Sequence, residues 1–282
     1  MSRYARITGT GGYLPERVLT NQQIAESGVD TSDEWIMERT GIRQRCIAAQ
    51  HETASSMAEH ASRQALEAAG LEAAAVDLII LATSSPDRIF PSTACLLQQR
   101  LGIRQCAAFD VQAACSGFVY ALSVADQYIR AGGAERILVV GSEVNSRAVD
   151  WQDRGTCILF GDGAGAMLVE ASDQPGLMST HIHSDGQYQD LLYLPNPIGN
   201  ELRAGQLSHI HMEGSEVFKI AVNTLGQIVD EALSANKLDK SDIDWLVPHQ
   251  ANIRIISATA RKLKMPMDKV VVTIETQGNT SS

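Results

Sequence analysis

Residues 65–80, ALEAAGLEAAAVDLII, and residues 232–247, ALSANKLDKSDIDWLV, align without a gap 167 positions apart. Ala65, Leu66, Ala68, Leu71 and Asp77 recur as Ala232, Leu233, Ala235, Leu238 and Asp244, while Val76 and Ile80 pair with Ile243 and Val247. In each copy an apolar pattern at helical spacing runs to a Gly or a Lys, a short acidic linker follows, and a β-branched strand comes next. Alanine-rich helices match by chance often. A whole helix–linker–strand unit repeating in register is the mark of internal duplication.

The register extends outward. RITGTGGYLP at 6–15 corresponds to a strand-like stretch, GLMSTHIHSDG, at 176–186, and CAAFDV at 106–111 to VVTIET at 271–276. The chain divides near residue 170 into an N-terminal half, 1–170, and a C-terminal half, 171–282. Strands alternating with helices argue for two similar α/β units with mainly parallel sheets. Ligands in such folds gather beyond the carboxyl ends of the strands. The first unit continues with a helix at 116–133 and strands at 136–143 and 158–170, whereas the second stops at QGNTSS. By that arithmetic the second half is incomplete, short of its counterpart by about 40 to 55 residues.

Composition bounds the function. The chain is 44% hydrophobic and 20% charged, enough for a large core without disulfides or metals. The longest apolar runs, such as LIILA and ILVV, are too short to span a bilayer, and the N-terminus has no signal-peptide core. A cytoplasmic protein with no membrane association is expected. The net charge of −10 argues against nucleic-acid binding, which needs a broad basic face. Lys219, Lys237, Lys240, Arg254, Arg261, Lys262, Lys264 and Lys269 gather in one segment. An acidic partner could dock there, although solvated helix surfaces account for most such charges. The five cysteines, Cys46, Cys95, Cys106, Cys115 and Cys157, are odd in number and read as reduced thiols. None has metal-ligand spacing, so no metal is expected.

Three residues stand where a strand hands over to a turn. Cys115, in FDVQAACSGF, precedes a helix, and unpaired N–H groups at a helix N-terminus lower a thiol pKa. Its neighbours Ala113, Ala114, Ser116 and Gly117 are small and leave room for a substrate. A buried core thiol is the commoner role for a free cysteine, and the other four are read that way. His249, in VPHQANIR, follows a strand and occupies the place of Ala82 in the first copy. The helix behind it should keep the imidazole neutral. Asn279, in ETQGNTSS, aligns with Gln112 and can donate to an oxygen where charge develops. Alone, His249 reads as a cap or core residue and Asn279 as turn chemistry. Together, Cys, His and Asn at strand ends of a duplicated protein form a recognised nucleophile arrangement.

At this point the chain resembles the β-ketoacyl-acyl-carrier-protein synthase III family, the initiating condensing enzymes of bacterial fatty-acid synthesis. The segments that carry the resemblance are TSDEWIMERTGIRQR, FPSTAC, DVQAACSGF, DRGT, FGDGAGA, EGSEVFKIAV, VPHQANIR and QGNTSS, which run from Thr31 to the last residue. The resemblance implies the thiolase fold, two fused α/β halves. It implies that Cys115 is acylated by a short acyl-CoA, acetyl-CoA foremost. His249 and Asn279 then stabilise the enolate formed when malonyl-acyl carrier protein loses CO₂. Acyl-CoA and the malonyl carrier are substrates, and no cofactor is called for.

The same resemblance implies a CoA site of Trp35, Arg39, Arg154, Gly214 and Asn252, with Trp35 and Arg154 clamping the adenine. Phe90 would reach an acyl pocket across a homodimer interface. Lys219, Gln250, Ala251, Asn252, Ile253 and Arg254 would dock the acidic carrier protein. A surface ion pair with Glu34 or Glu38 is the alternative role for Arg39. The FGDGAG run lacks dinucleotide-fingerprint spacing, and its glycines read as close packing beneath the site. The family's glycine-rich loop, whose N–H joins that of Cys115 in holding the acyl oxygen, has no counterpart in these residues. Two alternatives stay open: a thiolase-fold relative making a secondary metabolite from CoA thioesters, and an inactive truncated protein that only binds CoA or carrier.

Overall fold

The structure is a computed structural model that describes residues 3–196, 198, 199 and 208–282. Along the first half run β1 (Tyr4–Tyr13), β2 (Val18–Thr20), α1 (Asn21–Glu26), α2 (Asp33–Thr40), β3 (Gln44–Cys46) and α3 (Ala54–Ala69). They are followed by β4 (Leu78–Ala82), α4 (Thr93–Arg100), β5 (Ala107–Val111), α5 (Gly117–Arg130), β6 (Arg136–Val144), α6 (Arg154–Cys157) and β7 (Asp162–Ser172). The second half holds β8 (Leu192–Tyr193), β9 (His211–Met212), α7 (Gly214–Asn236), α8 (Ile253–Leu263) and α9 (Ile274–Gln277).

One five-stranded sheet organises the first half, in the order β1-β7-β6-β4-β5. β4 lies parallel to both β5 and β6, while β6–β7 and β1–β7 are antiparallel. Alternate side chains of a strand face opposite ways, and both faces here are covered. Ile79, Leu81, Leu138, Val140 and Leu168 pack with Ala58, Ala61, Ala65 and Leu97 from α3 and α4. Leu78, Ile80, Ile137, Val139 and Val169 pack with Ala121, Ala125 and Ile129 of α5. The alanines let helix and sheet approach closely: a Cβ on Gly9 of β1 would lie 2.1 Å from the Ala65 carbonyl oxygen.

The repeated stretch keeps its register at the helix end. α3 closes at Gly70 and α7 at Lys237, both left-handed, and each is followed by a 3₁₀ turn, Ala73–Ala75 or Lys240–Asp242. Beyond that point the halves differ. The strands expected at 176–186, at 245–248 and at 271–276 do not form. A single parallel bridge joins Leu246 to Val270, and residues 274–277 are helical. A strand needs a neighbour to satisfy its backbone groups. Among the described residues the second half has no antiparallel pair corresponding to β6 and β7, so those segments have no ladder to join. For the same reason α7 has no buried residue.

The bridge also corrects the alignment of Asn279. Ile79 pairs with Ala108 in the first half and Leu246 with Val270 in the second. The offset is therefore 167 on the first strand but 162 on its neighbour, and Gln112 is not the counterpart of Asn279.

Candidate active site

Cys115 is set by a tight turn. β5 ends at Val111, Ala114 takes a left-handed conformation (φ 45°), and a 3₁₀ turn over Ala114–Ser116 leads into α5. A non-glycine residue at positive φ is uncommon and costs free energy. Here it turns the Cys115 side chain off the strand end, where its sulfur lies 3.8 Å from the Ser281 hydroxyl oxygen. The sequence predicted a lowered thiol pKa. The structure reverses that direction: burial pushes the thiol up, the nearby Glu143 carboxylate adds to the rise, and the hydrogen bond from Ser281 opposes both. Of the remaining thiols, burial pushes Cys46, Cys106 and Cys157 upward, Cys157 to about 11.

Asn279 comes from the other half and is buried. Its backbone N–H donates to the Leu159 carbonyl (2.9 Å), and its carbonyl accepts from the Gly161 N–H (3.0 Å). This short parallel bridge at Phe160 stitches 277–280 onto the glycine run. A Cβ on Gly161 would strike the Gln277 carbonyl at 2.6 Å. The Asn279 Oδ1 accepts from the Ser281 N–H at 2.9 Å, and among the described residues its Nδ2 donates to nothing. The Cys115 sulfur and the Asn279 carboxamide are thus joined through one residue, Ser281.

His249 reaches the same segment through its neighbour. The Gln250 amide donates to the Pro248 and Val271 carbonyls and accepts from the Thr273 and Ile274 N–H groups, at 2.9–3.1 Å. That fixes the start of α9, which leads through Gly278 to Asn279. His249 is exposed, yet protein crowds it enough that desolvation pushes its pKa down to about 4. Contact with water limits the depression, but its direction keeps the imidazole neutral. The cause is crowding, where the sequence pointed to the helix terminus.

A second cluster surrounds the indole of Trp35. α2 is capped by Ser32 and closes at Gly41 (φ 77°). One turn of helix brings the Arg39 guanidinium to 4.9 Å from the Trp35 ring centroid, and Arg154 from α6 lies at 4.8 Å. Among the described residues Arg39 forms no ion pair with Glu34 or Glu38. The Asn252 Nδ2 donates to the Arg39 carbonyl (2.9 Å), while its Oδ1 caps α8 at the Arg254 N–H. Gly214 opens α7 beside Met212 and touches none of these residues.

The remaining sequence-derived residues divide. Arg254 is exposed and stacks on Phe218, 5.3 Å to the centroid, beside Lys219 on α7. Lys219 is paired with Glu216 at 2.7 Å. Ala251 is part-buried, and so is Ile253, which packs on Gly41. Gln250 is part-buried, and its amide is engaged in the four internal hydrogen bonds given above. Phe90 stands 83% exposed beside exposed Ile89.

Glu143 was missed. It is fully buried near the thiol, and burial raises its pKa. The signal was present: a carboxylate near the end of an apolar run, ILVVGSEV, is costly to bury unless something holds it.

The family described as 3-oxoacyl-[acyl-carrier-protein] synthase III matches residues 109–186, and its C-terminal part matches residues 233–282. A beta-ketoacyl-[acyl-carrier-protein] synthase III from Methylococcus capsulatus is 72% identical over all of this chain and 88% of its own length. The crystal structure of the Aquifex aeolicus 3-oxoacyl-[acyl-carrier-protein] synthase III superposes with a TM-score of 0.91 at 46% identity, covering 98% of this chain and 86% of that one. The priming beta-ketosynthase of the R1128 polyketide pathway gives 0.94 at 37% identity, covering 100% and 85%. The chain is an acyltransferase of the thiolase fold, in the condensing-enzyme class. It belongs to the 3-oxoacyl-[acyl-carrier-protein] synthase III family.

Proposed function

We propose that this chain initiates fatty-acid synthesis by joining an acyl-CoA, acetyl-CoA in particular, to malonyl-acyl carrier protein, with Cys115 as nucleophile and His249 and Asn279 as enolate donors. The Cys115 sulfur attacks the thioester carbonyl, the CoA thiolate leaves, and the thiol proton ends on CoA. Thioester exchange splits a difficult carbon–carbon bond formation into easier steps. The malonyl carrier then enters and loses CO₂. The electron pair moves onto the thioester oxygen, where a neutral imidazole and the free Nδ2 of Asn279 donate. The carbanion attacks the acyl-cysteine, returns the sulfur as thiolate and leaves 3-ketoacyl-carrier protein. Acyl-CoA and carrier are substrates, and no cofactor or metal enters the scheme.

The observation that carries this reading is the continuity from Cys115 through Ser281 to Asn279, a sulfur and a carboxamide from distant parts of the chain meeting at one place. Trp35, Arg39, Arg154 and Asn252, with Gly214 along the pantetheine path, are the proposed CoA-binding residues. Arg254 and Lys219, with Gln250, Ala251, Asn252 and Ile253, form the proposed face for an acidic carrier. We also propose related halves at 1–170 and 171–282, a cytoplasmic location, and a homodimer in which Phe90 enters the partner's acyl pocket. Exposure of Ile89 and Phe90, and the edge position of β5, support the dimer.

The test is intact-mass measurement and peptide mapping after mixing with acetyl-CoA. One acetyl group on the peptide containing Cys115 is expected, and none in Cys115→Ser. Absence of any gain on the unaltered protein would overturn the assignment. Light scattering tests the dimer.

A further inference from the structure

Glu143 takes no part in the scheme above, yet four donors converge on it. Its Oε1 accepts from the Ser84 N–H (2.9 Å) and the Ser282 hydroxyl (3.0 Å). Its Oε2 accepts from the hydroxyls of Ser85 (2.5 Å) and Thr83 (3.3 Å). These donors belong to two walls of the site. Thr83–Ser85 follow β4 and lead to the loop bearing Ile89 and Phe90. Ser282 follows Asn279 and Ser281, and its Cβ lies 3.3 Å from where a side chain on Gly117, the first residue of α5, would begin. The first wall is braced again: the Ser85 Oγ accepts from the Val144 N–H (2.7 Å), and the Thr83 Oγ1 from the Ser85 N–H (3.1 Å). Ser281, held between Asn279 and Ser282, takes a left-handed conformation (φ 67°) with its hydroxyl on the Cys115 sulfur.

We propose that Glu143 is a positioning residue: its carboxyl clasps the 83–85 turn to Ser282 and so holds Ser281 between the Cys115 sulfur and Asn279. A fully buried carboxyl is costly unless its hydrogen bonds are all made, and the four donors meet that requirement. Oε1 alone spans both walls, and losing it as an acceptor unties Ser282 from the 83–85 turn. The clasp acts on the nucleophile in a second way. Among the described residues Glu143 is the titratable side chain whose charge bears on the Cys115 thiol, and it favours the protonated form. No basic group contacts Glu143 itself, whose described partners are the backbone and hydroxyl groups named above.

The inference rests on Cys115 being the nucleophile, and Glu143→Gln tests it in the full chain. The expected result is a rate of Cys115 acylation reduced about tenfold with KM for acyl-CoA held within about twofold. Far-UV circular dichroism should be unchanged, and the pH midpoint for alkylation of Cys115 by iodoacetamide should fall. Glu143→Asp keeps the charge and should keep the midpoint. Ser282→Ala removes one arm of the clasp and should slow acylation without moving the midpoint. Unaltered rate and midpoint in Glu143→Gln would overturn the inference. So would a rate loss that follows lost stability while the midpoint stays fixed, which marks a packing residue only. Should Glu143→Gln fail to fold, Ser282→Ala decides alone, and unaltered acylation there defeats the clasp. If the unaltered protein gains no acyl group at Cys115, the nucleophile assignment fails instead.

Discussion

Arg154 lies over Trp35, its guanidinium carbon 4.8 Å from the ring centroid, and its Nη1 donates to the Asp30 carbonyl at 2.7 Å. A base held between two flat groups needs roughly 7 Å between them, two layers of van der Waals contact. The clamp is therefore closed, and an adenine entering it must displace the guanidinium. A cation stacked on an indole contributes about 0.5–2 kcal/mol. Arg154→Ala should raise KM for acyl-CoA about three- to thirty-fold with kcat nearly unchanged. Steady-state kinetics with varied acyl-CoA check this, and an unchanged KM would remove Arg154 from the CoA site.

The roles assigned to Cys115, His249 and Asn279 separate by half-reaction. Cys115→Ser should abolish acylation. His249→Ala and Asn279→Ala should acylate almost normally but lose malonyl decarboxylation, by about a hundredfold or more each, since one oxyanion donor is worth about 2.7–4 kcal/mol. Release of ¹⁴CO₂ from labelled malonyl carrier measures the second step, and intact mass the first. If His249→Ala blocks acylation and spares decarboxylation, the roles are reversed.

Acidification tests the neutral imidazole. A histidine at its ordinary pKa of about 6.5 would lose half of its neutral form at that pH. Crowding lowers the His249 pKa to about 4, so decarboxylation should stay nearly level as pH falls from about 7 to 5 and drop only below that. The stability sign follows. The unfolded chain takes up its proton near pH 6.5 and the folded one only near 4, so this contribution is present above that window and is lost as pH falls through it. Asn279→Ala decarboxylating weakly with an unchanged pH profile would tie the profile to His249.

The first half was legible because period-two strands buried on both faces and alanine-rich helices leave few alternatives, and the repeated stretch fixed where α3 and α7 end. The second half was less so. Trp245, Val247, Val271 and Val272 pointed to strands that do not form, because a strand exists only with a neighbour, and residues 271–276 have no ladder to join. Asn279 was reached through an alignment with Gln112 that the structure does not keep, since a five-residue difference between the halves breaks it. The direction of the Cys115 pKa was beyond local reading. It is set by burial, which only the fold creates and which outweighs the opposing hydrogen bond from Ser281, with Glu143 adding to the rise.

Gln250 offers a choice between docking and architecture. Its amide makes four internal hydrogen bonds, so Gln250→Ala should destabilise the fold by about 1–3 kcal/mol through unpaired backbone groups. Thermal unfolding measures that. KM for the malonyl carrier should stay near normal, whereas Arg254→Glu should raise it severalfold by reversing a charge that faces an acidic partner. A carrier KM raised in Gln250→Ala without loss of stability would make docking, not architecture, its main role.

Gly278 controls the approach to Asn279. It follows α9 with φ 71° and ψ −166°, a conformation open in practice to glycine alone. A Cβ there would also lie 2.9 Å from the Cβ of Arg45 and 3.1 Å from the Leu159 carbonyl. Arg45 cannot yield easily: it is fully buried, and its guanidinium donates to the Leu19 and Ile158 carbonyls and to Asn21 Oδ1. Gly278→Ala should therefore cost about 1–3 kcal/mol of stability, read as a lowered Tm. It should also push 278–280 away from Leu159 and Gly161 and so move the Asn279 amide. A displaced oxyanion donor acts like a missing one, so decarboxylation should fall toward the Asn279→Ala value. Acylation of Cys115 should be slowed less, because the cysteine turn is built by β5 and α5. Equal loss of both half-reactions would mean that Ser281 and Ser282 shift with Asn279 and carry the damage to the sulfur.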